Sequence, residues 1–398
     1  MNIFPTLRQA HVENKRVLVR VDFDVPTRDG EIVDDTRIKT NIPTLKHLLA
    51  SGNRLILMAK RGRPTHRDPA FSLQLIADVL PSYLKGYTCR LVADFRTEPD
   101  STWTTQSPSE ILLLENSRFF TDEEVAQKSF QTQLCSLGEI YVNDAFAMAH
   151  RKEFDIAGIP LILPSYAGLS LENEVRAVEK VIASPERPCV AIVGGAKIET
   201  KVEPIKKLMD ICDTILVGGG IANTFLKAHG YDIKDSLYEA GELKHAQALI
   251  DYASDRPVQL LMPIDVRIGD PEDPESPADI YPLSQLPSQS HILDIGPATQ
   301  KIYAEVIHQA RTILWNGPMG LFEHHAFRHG NDAVYQAIVH NRHTYSLVGG
   351  GDTLGSLARK HQIHEIDHLC TGGGAMLYFI EHGDLPALQA LRQSSSNT

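Results

Sequence analysis

Basic side chains recur where predicted strands end in the first half of the sequence. They follow the apolar runs RLILMA, EILLLEN and EIYVNDA, and they are Lys60, Arg61, Arg63, Arg118 and Arg151. A guanidinium is a planar fork of donors that matches carboxylate and phosphate. Any one of these side chains could be an ordinary surface cation. Their recurrence in a chain with 50 acidic and 39 basic residues indicates a pocket for a small polyanion.

Glycine-rich turns follow the predicted strands of the second half. These turns are GGAK (194–197), GGG (218–220), WNGPMG (315–320), GGGDT (349–353) and TGGG (371–374). Glycine lets the backbone approach a phosphate, and a following helix points its N–H groups at the anion. Asp352 stands where a strand turns into a helix, so it would either cap the helix or hold Mg²⁺ on nucleotide phosphates. The repetition favours a nucleotide site over tight packing alone.

Two common nucleotide motifs are absent from the sequence. There is no GxxxxGK[ST], and GGGIAN and GGGDTL lack the GxGxxG spacing, so neither a P-loop nor a dinucleotide motif is supported. His361, His364 and His368 have a spacing found among metal ligands. They span a predicted helix end and the next strand, which disfavours ligation from one side. We expect no metal at these histidines.

Apolar strands and amphipathic helices alternate along the chain and must position these residues. The apolar runs lie at 16–23, 54–59, 89–94, 110–116, 139–145, 189–195, 214–220, 258–266, 312–318, 345–351 and 368–373. Most runs are continuous, as in parallel strands that are covered on both faces. Repeated strand–helix–strand units predict an α/β fold. Ligands bind such sheets beyond the carboxyl ends of the strands, where both sets of residues lie.

The length of 398 residues exceeds one ordinary core and predicts more than one domain. Prolines interrupt the chain near 160–164, and residues 171–188 resemble an amphipathic helix followed by a linker. We predict two doubly wound, Rossmann-like parallel-sheet domains at 1–168 and 188–375, joined by a hinge helix and linker at 169–187. The proline-rich segment 269–290 predicts a surface loop in the second domain.

The composition narrows the class of protein. A hydrophobic content of 42% supplies material for large cores, and the net charge of −11 disfavours a nucleic-acid binder held by bulk charge. No apolar run reaches the roughly 18 residues that a membrane span needs, and the first residues contain no signal-peptide core. The scattered cysteines include no CxxC and are typical of reduced thiols. We expect a cytoplasmic protein that binds neither nucleic acid nor membrane.

Motifs along nearly the whole chain resemble the phosphoglycerate kinase family. They include RVDFDVP, LLLENSRF, YVNDAFAMAHR, VGGAKIETK, VGGGIANTF, LWNGPMGLFE and VGGGDT. The resemblance implies a monomeric, hinge-bending enzyme of glycolysis that transfers a phosphoryl group directly. Its first domain would bind 3-phosphoglycerate or 1,3-bisphosphoglycerate, and its second domain ATP or ADP with Mg²⁺. The resemblance also implies that the C-terminal segment, about 376–398, packs on the first domain.

The resemblance assigns roles to individual positions. The acid-binding positions are Asp22, Phe23, Asp24, Arg37, Lys60, Arg61, Gly62, Arg63, Arg118 and Arg151. The nucleotide-binding positions are Gly195, Lys197, Lys201, Gly219, Glu323, Gly350, Gly351, Asp352 and Thr353. Arg37 and Lys197 would act on the transferring phosphoryl group, together with the Gly350–Gly351 turn. Glu323 would bind the ribose, and Asp352 would bind Mg²⁺.

Four positions depart from the family pattern. Asp24 replaces an asparagine, Lys60 a histidine, Arg61 a leucine and Ala147 a glycine. Asp24 adds a negative charge and Lys60 a positive one, so we expect these two side chains to interact and to offset each other.

The departures leave two further readings of the sequence open. One is a catalytically weak binding or regulatory homologue that kept the fold. The other is a kinase for a different small carboxylic acid, with Arg61 as the residue that would change the preference. The retained Arg37, Lys197 and Asp352 favour an active phosphoglycerate kinase.

Overall fold

The apolar runs form two separate parallel sheets in the computed structural model, which describes residues 3–273, 275–357 and 360–395. The predicted α/β class with two Rossmann-like sheets is therefore confirmed. The chain divides into a first unit, Met1–Arg176 with Asp384–Thr398, and a second unit, Ala177–Gly383.

The first unit contains a parallel sheet and a short hairpin. Its strands are β1 (Arg16–Arg20), β2 (Thr27–Arg28), β3 (Glu31–Ile32), β4 (Arg54–Met58), β5 (Thr88–Val92), β6 (Glu110–Leu114), β7 (Ile140–Asn143) and β8 (Ser165–Ala167). The parallel sheet has the order β5-β6-β4-β1-β7-β8, and β2 pairs with β3. Arg20 of β1 is level with Met58 of β4 and Asn143 of β7, so these strands end at one edge.

Helices cover both faces of this sheet. They are α1 (Thr36–Ala50), α2 (Gln74–Tyr83), α3 (Ser101–Thr104), α4 (Asp122–Ala126) and α5 (Lys128–Ser136), together with the part of α6 (Leu169–Ala183) that precedes Ala177. Alternate residues of β1 point to opposite faces, so Val19 and Leu18 belong to different core clusters. Apolar residues of α1 recur every three or four positions, for example Ile38, Ile42 and Leu45, and this stripe packs on the Val19 face.

The second unit has the doubly wound strand order. Its strands are β9 (Cys189–Val193), β10 (Thr214–Val217), β11 (Gln259–Leu261), β12 (Asp265–Gly269), β13 (Asp279–Pro282), β14 (His291–Ile295), β15 (Thr312–Asn316), β16 (Tyr345–Gly349) and β17 (His368–Cys370). The parallel sheet runs β11-β10-β9-β15-β16-β17, so the direction of winding reverses between β9 and β15. Ligands of doubly wound sheets bind at this switch point.

The helices of the second unit connect these strands. They are α7 (Val202–Ile211), α8 (Gly219–Ala228), α9 (Leu243–Ser254), α10 (Pro297–Gln309), α11 (His329–His340), α12 (Gly351–Leu357) and α13 (Gly373–His382). A separate antiparallel sheet has the order β13-β12-β14. No helix of the described residues is long and apolar enough to cross a membrane.

Two details of the predicted second domain are wrong. The run 258–266 is not one strand, because it divides at Pro263 between the parallel β11 and the antiparallel β12. The segment 269–290 is not only a loop, since it contains β13, which pairs with β12. Both errors arise where the chain leaves the parallel sheet, a change of partner that the apolar pattern does not record.

The last described segment belongs to the first unit. The helix α14 (Pro386–Ser395) follows α13, and its Ala387 N donates to Ala149 O at 3.1 Å. Farther along it, Ser394 Oγ donates to Leu163 O at 3.0 Å. Its apolar residues Ala387, Leu388 and Leu391 are buried.

Candidate active site

The loops after neighbouring strands of the first sheet are joined by hydrogen bonds. Asp144 N, after β7, donates to Arg20 O of β1 at 2.8 Å. Asn116, after β6, donates from Nδ2 to Arg61 O at 2.7 Å. The carboxyl edge of β1, β4, β6 and β7 is therefore one connected surface, and it carries the basic residues predicted from the sequence.

Asp22 and Arg37 form an ion pair at this edge. Arg37 is the second residue of α1, and its Nη1 lies 3.0 Å from both carboxylate oxygens of Asp22. Asp22 is buried, so its charge requires a partner. The Arg37 side chain is still 32% exposed, which leaves it accessible to a solute.

Asp24 orders the turn that carries Gly62. Its Oδ1 accepts from Gly62 N at 2.8 Å, and its Oδ2 lies 3.9 Å from Arg118 Nη1. Arg118 also donates to the carbonyl of Gly62. Gly62 has φ +61°, and a Cβ there would overlap the Phe71 ring, so glycine is required. The carboxylate of Asp24 therefore orients Arg118 and the turn together.

The predicted interaction between Asp24 and Lys60 is wrong. The Lys60 ammonium contacts Glu153 and lies 3.1 Å from Asp155 Oδ1, and no ion pair within the described part of the chain joins it to Asp24. The physical reason is Arg20, which is buried inside β1 and holds the other oxygen of Asp155 at 2.8 Å. This buried arginine draws an acid next to Lys60.

Two of the predicted acid-binding residues direct their side chains into the protein. Arg61 is buried and donates to Ser72 O at 2.8 Å and to Thr27 Oγ1 at 2.9 Å. Burial lowers the pKa of Arg61, although a guanidinium stays charged at neutral pH. Phe23 is fully buried in the core below α1. Both side chains are therefore engaged with the protein, and neither is exposed to a solute.

The remaining basic residues differ in exposure. Arg63 and Arg151 are exposed, in the turns after β4 and β7. Lys60 and Arg118 line a cavity of about 280 Å³ together with Glu153. The structure thus brings Lys60 and Arg118 to one cavity and leaves Arg63 and Arg151 in solvent.

The glycine turns of the second sheet are bonded to one another through their backbones. Gly195 N, after β9, donates to Pro318 O at 2.7 Å, and Gly219 N, after β10, donates to Met319 O at 2.7 Å. Gly195 has φ +102° and Gly219 has φ +62°, a region that favours glycine. These contacts lie at the switch point between β9 and β15.

Close packing accounts for several of these glycines. A Cβ at Gly194 would lie 2.1 Å from Pro318 O, and one at Gly220 would lie 2.4 Å from Ala196 O. A Cβ at Gly351, by contrast, would meet no atom outside its own helix within 4 Å. The turns after β9 and β10 are therefore structural walls, and the start of α12 is the open turn.

Lys201 points back into the turn after β9. Its Nζ donates to Gly194 O at 2.7 Å. Burial lowers the pKa of Lys201 to about 8, and the nearby Asp352 carboxylate opposes that shift. The ammonium form therefore still predominates at neutral pH, and a bound phosphate would favour it further.

Four predicted nucleotide-binding residues line one cavity of about 290 Å³. They are Gly195, Gly219, Glu323 and Asp352. Lys197 is exposed two residues after Gly195, without a hydrogen bond or ion pair to another described residue. The cavity lies at the carboxyl edge of the sheet, where the switch point of the strand order places a ligand.

Gly350 and Thr353 shape the turn from which Asp352 projects. Thr353 is buried, and its Oγ1 accepts from Gly317 N at 2.7 Å. Gly350 has φ +107°, and a Cβ there would lie 2.9 Å from Asn316 Nδ2. The Thr353 hydroxyl is thus engaged with the protein, whereas Asp352 is exposed.

The acidic side chain of Asp352 is suited to bind a magnesium ion that accompanies a nucleotide. Over residues 3–273, 275–357 and 360–395, no three or more His, Cys, Asp or Glu side chains are grouped to hold a metal. Mg²⁺ at nucleotide sites is usually bound by one or two carboxylates, substrate phosphates and water. Asp352, exposed and beside the cavity, can supply one such carboxylate.

The sequence reasoning missed the acids that hold the cations of the first unit. Glu153 and Asp155 were not identified, although they are the partners of Lys60. Arg20 was the available signal, because an arginine inside a strand that is covered on both faces requires a buried acid. The acid could not be identified, because Asp155 lies 135 positions from Arg20.

Comparison with known proteins gives one consistent result. Residues 7–383 match the family model described as phosphoglycerate kinase. A phosphoglycerate kinase of Moorella thermoacetica is 41% identical over 389 residues, which cover 98% of this chain and 99% of the relative. The solved structure of phosphoglycerate kinase from Coxiella burnetii has a TM-score of 0.87 at 36% identity, with 98% and 99% of the two chains covered. That from Pyrococcus horikoshii OT3 has a TM-score of 0.86 at 30% identity, with both chains fully covered.

The two doubly wound sheets, the cationic edge and the glycine-lined cavity define a kinase of the two-unit α/β class. More particularly, the chain belongs to the phosphoglycerate kinase family. The predicted family and its kinase activity are confirmed.

Proposed function

We propose that the chain transfers a phosphoryl group reversibly between 1,3-bisphosphoglycerate and ADP, giving 3-phosphoglycerate and ATP. The observation that carries the proposal is the cavity shared by Glu323 and Asp352 at the switch point, beside Lys201. Lys201 offers a cation, Asp352 a metal-binding carboxylate and Glu323 a second acid for a sugar hydroxyl. The first unit offers the cations that a phosphorylated acid needs.

The acid substrate binds at the carboxyl edge of the first sheet. Arg118 and Lys60 line the cavity there, and Arg63 and Arg151 are exposed beside the same edge. Arginine suits both ends of a phosphorylated acid because its fork matches carboxylate and phosphate. Arg37, held by Asp22, faces the phosphoryl group that is transferred.

The nucleotide binds at the switch point of the second sheet. Lys201 holds its phosphates, Glu323 its ribose and the Gly350–Gly351 turn the transferring group. Lys197 is free of partners among the described residues and follows that group as charge moves. Phosphoryl transfer spreads negative charge over three equatorial oxygens, so cations that neutralise it lower the barrier.

Magnesium accompanies the nucleotide in this proposal. When bound, Mg²⁺ neutralises phosphate charge and orients the phosphate oxygens. Asp352 would hold the ion, and the nucleotide and water would supply the remaining ligands.

We further propose that the transfer is direct and in line, and that the enzyme is monomeric and cytoplasmic. Direct transfer requires that the two substrates meet with water excluded, because water would otherwise accept the phosphoryl group. We therefore propose that the units close about the 169–187 segment when both substrates are bound. Solution scattering should show a smaller radius of gyration with both substrates than with either alone, and an unchanged radius would contradict closure.

A coupled assay tests the activity directly. With 3-phosphoglycerate and MgATP, the purified chain should form ADP with saturable dependence on both substrates. Binding of both substrates without turnover would indicate the binding homologue instead. Turnover with another small carboxylic acid, and none with 3-phosphoglycerate, would indicate the alternative kinase.

A further inference from the structure

Lys60 belongs to a chain of four charged side chains at the candidate acid site. Its ammonium contacts Glu153 and lies 3.1 Å from Asp155 Oδ1. Asp155 Oδ2 in turn accepts from Arg20 Nε at 2.8 Å. Two cations and two acids alternate along this chain, so their formal charges cancel.

Asp155 is paired with the buried Arg20 at one end of this series of charges. Burial alone would raise the pKa of Asp155, but Arg20 and Lys60 outweigh it and lower that pKa. The Arg20 side chain is only 1% exposed, and Asp155 supplies its carboxylate partner. Asp155 therefore balances Arg20, which leaves Glu153 to balance Lys60.

Glu153 is the more exposed of the two acids that contact Lys60. The Glu153 side chain is 43% exposed, against 11% for Asp155. Glu153 stands two residues after Arg151 and lines the same cavity as Lys60 and Arg118. An anion that enters this cavity meets an ammonium already paired with a movable carboxylate.

We propose that Glu153 sets the affinity of the acid site by competing with the acid substrate for the Lys60 ammonium. This inference rests on the proposed function of the first unit. The Glu153 carboxylate occupies Lys60 before the substrate arrives and weakens the attraction of the pocket for anions. Glu153 thereby offsets the added charge of Lys60, a role that the sequence alone had assigned to Asp24.

The variant Glu153→Gln tests this competition by calorimetric titration with 3-phosphoglycerate. Removing one partly exposed charge next to Lys60 should tighten binding about 3- to 10-fold. The KM for 3-phosphoglycerate should fall by a similar factor while kcat changes less than about twofold, since the chemical step is untouched. In a Lys60→Met background, the same change should have no effect on binding.

The control is Glu110→Gln, which removes an acid that pairs with Arg90 at the amino end of β6. It should leave the binding constant unchanged. If Glu153→Gln binds 3-phosphoglycerate as the parent does, or tightens binding equally without Lys60, the competition is refuted. If the parent itself fails to bind 3-phosphoglycerate, the proposed function fails instead.

A second inference concerns two thiols in the other unit. Cys189 is the first residue of β9, Cys212 follows α7, and their Sγ atoms lie 3.0 Å apart. The adjoining backbones are held together, since Asp213 N donates to Cys189 O at 2.8 Å. A disulfide bond of about 2.05 Å therefore requires only a small shift of the two side chains.

One of the two cysteines lines a cavity. Cys212 lines a cavity of about 270 Å³ that Arg187 and Arg256 also line. Hydrogen peroxide is far smaller than this cavity. The neighbouring Cys189 sulfur and burial raise the pKa of the Cys212 thiol, and Arg187 at the cavity wall opposes that shift.

We infer that Cys189 and Cys212 form a disulfide when a small peroxide oxidises the protein. The Cys212 thiol gives up its proton as its sulfur attacks one peroxide oxygen and becomes a sulfenic acid, and the other oxygen takes up a proton and leaves as water. The Cys189 sulfur then attacks the sulfenic sulfur and releases a second water. Two thiols are oxidised, and one peroxide is reduced to two waters.

Peptide mapping after peroxide treatment and alkylation tests this pairing. The expected product is a cross-linked peptide pair containing Cys189 and Cys212 that dithiothreitol separates. Cys212→Ser should abolish it, whereas Cys89→Ser, in the first unit, should not. Recovery of both peptides as separately alkylated thiols, or as sulfinic acids, would overturn the inference.

Discussion

The candidate acid site of the first unit and the candidate nucleotide site of the second are built from different parts of the polypeptide. In the first unit, charged side chains form the site, with Arg37 held by Asp22 at 3.0 Å. In the second unit, the backbone forms much of the wall, and Gly195 N donates to Pro318 O at 2.7 Å. The first site is built mainly from charged side chains, whereas the walls of the second site are built mainly from glycine backbone.

This difference separates stability from binding in the two units. An exposed cation can be removed from the first site at little cost in folding, because its tip is solvated. A methyl group added to a glycine wall meets backbone atoms that cannot move independently. Substitution of an exposed cation in the first site should therefore affect affinity, and substitution of a wall glycine in the second site should affect folding.

Gly194→Ala should have the largest effect on folding. Its Cβ would lie 2.1 Å from Pro318 O and 2.7 Å from Gly317 O. We expect the free energy of unfolding to fall by about 4 kcal/mol, measured by denaturant titration. The control Gly355→Ala adds a methyl group to α12 where no atom lies within 4 Å, so it should be neutral or stabilising. If the two variants were equally stable, the interpretation that glycine backbone at Gly194 forms a close-packed wall would be wrong.

Lys197→Ala tests a nucleotide-side role that depends on an exposed charged side chain. Loss of a cation that acts on the transition state should lower kcat about 10²- to 10³-fold. The midpoint of unfolding should not change, because Lys197 is exposed. Lys207→Ala on α7 is the matched control and should keep full activity. Near-normal turnover of Lys197→Ala would exclude Lys197 from catalysis.

Buried carboxyls are a feature that the two units share. Burial raises the pKa of Asp144 to about 7, although a hydrogen bond from Ser170 N–H opposes the shift. Burial likewise raises the pKa of Asp294 to about 8, against a hydrogen bond from Gly330 N–H. When the pKa of an acid is higher in the folded state than in the unfolded state, the acid makes its full contribution to stability at pH values below its unfolded-state pKa, near 4. Its contribution then falls until pH reaches the folded pKa.

The wild-type chain should therefore lose stability between pH 5 and pH 7. Between pH 5 and pH 7, the free energy of unfolding of Asp144→Asn should rise by about 2 kcal/mol relative to that of the wild type. Denaturant titration at both pH values measures the change, and Asp294→Asn provides the equivalent test in the second unit. An equal difference between variant and wild type at both pH values would argue against a raised pKa.

Arg63→Ala should show the smallest effect, and only on binding. The KM for 3-phosphoglycerate should rise about tenfold, the cost of one charge-assisted contact. The free energy of unfolding should stay within about 0.5 kcal/mol of the parent. Lys46→Ala removes another exposed cation of the first unit and should change neither quantity. A large loss of stability in Arg63→Ala would break the separation of folding from binding.

The fold was predictable because continuous apolar runs mark parallel strands, and each run overlaps a strand of the structure. The basic and glycine-rich loops were predictable for the same reason, since strand ends share an edge. Side-chain direction was not predictable. Arg61 turns toward Ser72, and Lys60 pairs with Asp155 through a contact that spans 95 positions. The role of Gly194 also depended on a distant turn, because its neighbour Pro318 belongs to another strand end.

The return of α14 to the first unit affects the order in which a ribosome could complete the two units. Pro386–Ser395 leaves the ribosome only after every residue of Ala177–Gly383 has been made. The second unit therefore has all its residues before the first unit acquires its final helix. During synthesis, the apolar surface of the first unit that Leu388 and Leu391 will cover therefore stays exposed for longer, and chaperones can bind it.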